Sequence, residues 1–162
     1  MNGYLVDPHT LIYQDIVDIS KRIEEAHYGQ ASSRPLSKGY ELRGQIGQWR
    51  FAWDYGFLYD TSILPWGDGR IDFTCRNGLT IDLKTARLPL WLPREVSKDH
   101  ADILVLAGVS LAKRTYKFHG WEWDTIMTQQ PQGTLGKFTI VNYLMPVGDL
   151  RPMSELVNII NE

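Results

Sequence analysis

The stretch Ile71-Asp72-Phe73-Thr74-Cys75-Arg76-Asn77-Gly78-Leu79-Thr80-Ile81-Asp82-Leu83-Lys84 decides how the rest of the chain is read. Apolar residues hold positions 71, 73, 75, 79, 81 and 83, and polar residues hold 72, 74, 76, 80, 82 and 84. That alternation on both sides of Asn77-Gly78 predicts a β-hairpin. A two-residue turn would set Arg76 against Leu79 and mix apolar with polar side chains on each face. A three-residue turn, Arg76-Asn77-Gly78, sets Cys75 against Leu79 and Asp72 against Asp82, so each face is uniform. A buried face fixes strand register. The three-residue turn is therefore expected, with Gly78 in the left-handed position of a type I turn and G1 bulge.

Before the hairpin, a helix is expected over residues 8–28. Asp7 is its cap, Pro8 suits its first turn, and Ile12, Ile16, Ile19, Ile23 and Ala26 form its buried stripe. A second helix, Tyr40–Tyr55, has the apolar stripe Leu42, Ile46, Trp49 and Trp53. Glu41, Gln45, Gln48 and Ala52 share the same spacing on another face. Gly44 and Gly47 each cost this helix about 1 kcal/mol against alanine, which suits close approach of a strand or a ligand, or tight packing alone. After the hairpin, strands are expected over residues 102–109, 114–119 and 137–144. The first of these is apolar enough to be a central strand. A short helix over 121–129 and a closing helix over 152–160, with Met153, Leu156, Val157 and Ile160 inward, complete the reading. The fold class is α/β. One domain spans residues 1–162, with a central mixed sheet, a hairpin that carries the site, and flanking helices.

Composition sets limits on function. The chain has 162 residues, 43% hydrophobic and 22% charged, a globular balance and not a disordered one. Its longest apolar run, residues 103–109, is too short to span a membrane. Met1-Asn2-Gly3-Tyr4 lacks a basic segment followed by an apolar one, so no secretory signal is expected. One cysteine, Cys75, excludes an internal disulfide and a multi-cysteine metal site. A cytoplasmic setting follows as the expectation. The net charge of −2 argues against coating nucleic acid by bulk charge. Residues 70–100 are locally richer in Arg and Lys than in Asp and Glu.

The expected hairpin places two carboxylates opposite each other, about 5 Å apart at the backbone, where they repel unless a cation lies between them. Mg²⁺ takes a few hard oxygen ligands and keeps several waters. Asp72 and Asp82 would supply side-chain oxygens and Leu83 its carbonyl. Lys84 would stand beside the metal-bound water and the charge developing on a phosphate. The plain alternative is a solvated hairpin face. Arg87, Arg94 and Lys98 are candidate phosphate contacts, or else members of a solvated loop. Trp66 and Trp91 flank the hairpin as candidate stacking surfaces. Asp68 is a candidate ligand or a turn residue. His9, His27, His100 and His119 lack metal-ligand spacing and read as surface or core residues. Cys75 reads as a buried small hydrophobe.

These residues resemble the PD-(D/E)XK nuclease superfamily. Gly67-Asp68-Gly69-Arg70-Ile71-Asp72 is similar to its second motif, and Thr80-Ile81-Asp82-Leu83-Lys84-Thr85 to its third. Arg43-Gly44-Gln45-Ile46-Gly47-Gln48-Trp49 is similar to its first motif, in which Holliday-junction resolvases carry glycine and then glutamate four residues on. Gln48 is a departure at that last position. The stretch Ala101-Asp102-Ile103-Leu104-Val105-Leu106, followed by Phe118-His119-Gly120-Trp121, is similar to the family's fourth strand and its sequel. The resemblance covers residues 40–121, and its hairpin motifs are the specific part.

The resemblance implies a restriction-endonuclease-like fold and a Mg²⁺- or Mn²⁺-dependent nuclease, a DNA endonuclease in particular. Asp72 and Asp82 become metal ligands and Lys84 the catalytic lysine. Gln48 would contribute only its amide oxygen, to a metal or a metal-bound water. Glu41, about 10 Å up the helix, would replace it only if the helix were displaced. The expected partner is nucleic acid, with a homodimer left open. Two other classes are carried: a catalytically decayed nuclease-like nucleic-acid-binding module, which Gln48 would mark, and an α/β interaction domain that binds no nucleic acid.

Overall fold

A computed structural model describes residues 5–27, 39–63 and 71–162. The elements in chain order are β1 (Leu5–Val6), α1 (Tyr13–His27), α2 (Tyr40–Tyr55), β2 (Tyr59–Asp60), β3 (Phe73–Thr74), β4 (Thr80–Ala86), β5 (Trp91–Glu95) and β6 (Ile103–Ser110). They continue with β7 (Thr115–Trp123), α3 (Asp124–Met127), β8 (Gln132–Gly133), β9 (Asn142–Pro146) and α4 (Met153–Ile160). The architecture is mixed α/β.

The central sheet runs β3-β4-β6-β7. β4 and β6 are parallel, and the two outer pairings are antiparallel. β6 is buried on both faces from Ile103 to Val109 because both faces of the sheet are covered. Alternate side chains go to two cores. Ile81, Leu83, Ile103, Val105, Ala107 and Val109 pack with residues of α1, α2 and α4. Leu104 and Leu106 face the other way, against Leu92 of β5, Met127 of α3 and Met145 of β9. The expectation of flanking helices thus holds for one face. On the other, a second sheet of order β5-β9-β8 supplies most of the cover.

The hairpin has the expected register. Phe73 pairs with Ile81 and Thr74 with Thr80, which are the partners a three-residue turn dictates. The Gly78 N–H donates to the Cys75 carbonyl at 3.0 Å, and Gly78 has φ +88°. Asn77 ties the turn to α4 by donating to the Ile159 carbonyl at 3.1 Å.

Several expectations are corrected. Asp7 and Pro8 begin a short 3-10 turn, Pro8–Thr10, and not α1. Ile12 precedes α1 and is exposed, whereas Ile16, Ile19 and Ile23 are buried as expected. Residue 28, the expected end of that helix, lies outside the described residues. The strand expected over 114–119 continues to Trp123, and the helix expected over 121–129 shrinks to α3, because residues 120–123 stay paired with β6. The strand expected over 137–144 is β9, five residues later at its start. Ile71 and Val157, expected inside, are exposed.

Candidate active site

Two glycine positions in α2 set up the site. A Cβ on Gly47 would stand 2.7 Å from Thr85 Oγ1 and 3.4 Å from Leu83 Cδ2, so the helix lies directly on β4 there. Gly44 faces open space instead. That contact carries Gln48, one residue on, to the edge of the hairpin. Gln48 Nε2 donates to Asp72 Oδ1 at 3.0 Å.

Asp72 lies one residue before β3. Its own N–H donates to the Ile81 carbonyl at 2.9 Å, and the described ladder ends at Phe73. Asp72 and Asp82 are therefore not a ladder pair, which corrects the expectation that they face each other directly. Asp72 Oδ2 instead accepts the Leu83 N–H at 2.7 Å. The carboxylate occupies the edge of β4 where β3 no longer pairs. In a strand the N–H and C=O of one residue point to the same side, so the Leu83 carbonyl lies along that same edge.

Asp82 is 4% exposed, although it belongs to the polar face of the hairpin. His100, in the segment after β5, lies against it, while Thr74 and Arg76 on the same face stay exposed. Asp82 Oδ2 accepts from Lys84 Nζ at 2.7 Å, and His100 Nδ1 lies 3.4 Å away. The other ring nitrogen of His100 is 3.2 Å from the Glu95 carbonyl. Burial pushes the Asp82 carboxyl up, but the His100 hydrogen bond and the Lys84 charge outweigh it and hold the group below the ordinary carboxylate range.

Other expected residues are placed as follows. Arg94 is 9% exposed and forms a two-point pair with Asp124, Nε to Oδ1 at 2.8 Å and Nη2 to Oδ2 at 3.1 Å. It holds β5 to α3, and the expectation of a phosphate contact is corrected for it. Arg87 is exposed, and Lys98, also exposed, pairs with Glu95 at 3.2 Å. Glu41 accepts from Gln45 at 3.2 Å, and Gln45 accepts from the buried Tyr59 hydroxyl at 2.5 Å, so Glu41 belongs to a buried polar relay two turns from Gln48. Asp68 and Trp66 lie outside the described residues. Cys75 is buried, and burial pushes its thiol up, as suits an inert core residue.

His100, read from sequence as a surface or core residue, and Glu95 carry no local signal for a place beside Asp82. The His100 side chain is buried, as that of a core histidine would be, yet it lies against Asp82 from 18 residues away. No local spacing carries that contact.

The oxygens offered along β4 are hard ones: the Asp72 carboxylate and the Leu83 carbonyl at its edge, with the Gln48 amide on Asp72, and the buried Asp82 carboxylate one residue before Leu83. Taken as ionised, Asp72, Asp82 and Lys84 leave one net negative charge. Among the described residues, no group of three or more His, Cys, Asp or Glu is placed to hold a metal. That rules against a zinc-type cage built from these residues. It is compatible with Mg²⁺, which binds through one or two carboxylates and keeps its waters. No helix among the described residues is long and apolar enough to cross a membrane.

No family model matches the chain. No curated protein and no solved structure matches it either.

Proposed function

We propose that this protein is a divalent-metal-dependent nuclease of restriction-endonuclease-like architecture that hydrolyses phosphodiester bonds in DNA. The observations that carry the reading are Asp72 on the edge of β4, held by the Leu83 N–H and the Gln48 amide, and the Asp82–Lys84 pair on that same strand. Asp72, Asp82 and the Leu83 carbonyl would hold Mg²⁺ or Mn²⁺. The bound ion would supply an activated water and neutralise phosphate charge. Lys84 places a fixed ammonium beside the same carboxylate, where it offsets charge developing on the phosphate. The Leu83 N–H and the Gln48 amide fix the Asp72 carboxylate, and His100 fixes that of Asp82.

A second reading draws on the same hydrogen bond from Gln48. A neutral amide satisfies Asp72 without a cation, so the domain would bind nucleic acid without cutting it. Incubation with single-stranded, duplex and branched DNA, with and without Mg²⁺ or Mn²⁺, separates the two. Metal-dependent cleavage of at least one substrate is the expected result. Binding without cleavage under every condition selects the binding module, and no binding at low salt rejects both.

A further inference from the structure

A shallow cleft between α1, α2 and the β6–β7 turn contains none of the candidate active-site residues. Among its lining residues are Tyr13, Trp49, Arg50, Ser110, Arg114 and Tyr116. Its two cations are Arg50 and Arg114. The Arg50 guanidinium lies 4.2 Å from the Trp49 ring centroid and 5.3 Å from that of Tyr116. Arg114 lies 4.7 Å over Tyr13. Stacking uses the flat face of a guanidinium and leaves the N–H donors in its plane. Among the described residues neither arginine has a carboxylate partner. Asp54, one turn beyond Arg50, is taken by Tyr116, whose hydroxyl donates to it at 3.0 and 3.1 Å.

Arg114 also has φ +51°, the one left-handed non-glycine residue among those described. Such a backbone is uncommon for a bulky side chain, and strain of this kind concentrates at ligand clamps. Ser110 adds a hydroxyl; its oxygen accepts the Lys113 N–H at 3.3 Å, and its own proton remains a donor. Two guanidinium groups held by aromatic rings line this one cleft, and their forked donors match phosphate oxygens.

We propose that this cleft binds a phosphate group between Arg50 and Arg114. The proposal stands independently of the nuclease reading. The phosphate has two sources, a free phosphate or mononucleotide and the backbone of a nucleic acid strand. The test follows the arginine Nε–H signals of the ¹⁵N-labelled protein by NMR during titration with inorganic phosphate, a 5′-mononucleotide and a short oligonucleotide. Sodium chloride at matched ionic strength is the control. The Arg50 and Arg114 signals should move with at least one phosphate ligand and not with chloride. Arg114→Gln, an exposed change, should weaken that binding at least tenfold while its amide spectrum stays folded. Tighter binding of the oligonucleotide identifies the backbone source, and tighter binding of the mononucleotide identifies the free one. Unmoved arginine signals, equal shifts with chloride, or an Arg114→Gln protein that titrates like wild type would overturn the proposal.

Discussion

Tyr59 has no exposed surface, and its hydroxyl ends a relay through Gln45 to Glu41. Burial pushes its pKa above the ordinary tyrosine value, with the charges of Glu41 and Asp60 adding to the shift. A raised folded pKa means that the stabilisation is fully present below about pH 10, the unfolded value, and is lost as pH rises beyond it. Tyr59→Phe should cost about 1 kcal/mol at pH 7 for the lost hydrogen bond. It should also remove about 1.4 kcal/mol per pH unit from the decline in stability above pH 10. Denaturant unfolding of both proteins from pH 8 to 11 measures this, and parallel curves would contradict it. The relay also explains why Glu41 reads ambiguously from sequence. Periodicity places Glu41, Gln45 and Gln48 on one stripe, but only the fold shows that Glu41 and Gln45 answer to Tyr59 and Gln48 to Asp72.

At the scale of elements, α2 and the hairpin were legible because each has a strong period. Placing all six apolar residues on one face requires the register that β3 and β4 have. The short strands β1, β2, β5 and β8 have no comparable signal, and Pro93 within β5 argues locally against a strand. β5 forms because Trp91–Glu95 finds a partner in β9, 50 residues away. The two α2 glycines give opposite expectations. Gly44→Ala meets nothing within 4 Å and should stabilise by about 0.5–1 kcal/mol. Gly47→Ala drives a methyl into Thr85, a β-branched side chain with little freedom, and should destabilise by about 1–3 kcal/mol. Urea midpoints of the two variants test the pair, and a Gly47→Ala protein as stable as Gly44→Ala would show that α2 does not rest on β4 at Gly47.

Across the whole molecule, the fold buries one residue of the polar hairpin face, Asp82, and leaves Thr74 and Arg76 exposed. From sequence, Asp82 sits among Asp72, Thr74 and Lys84 and reads as exposed or metal-bound. In the fold, β5 and His100 close over it, and Lys84 supplies its counter-charge. The same closure takes Arg94 away from any substrate and gives it to Asp124. The net charge of −2 averages over these arrangements. It hides a hairpin strand with one surplus negative charge and a separate cleft with two guanidiniums that have no carboxylate partner among the described residues.

The central claim is that Asp82 and Lys84 do chemistry and not only support the fold. The most direct measurement compares Mg²⁺-dependent DNA cleavage by the wild type, Asp82→Asn and Lys84→Ala, with thermal melting of each protein alongside. The expected result is cleavage by the wild type and at least a hundredfold loss in both variants, each still melting cooperatively. Full cleavage by either folded variant would contradict it.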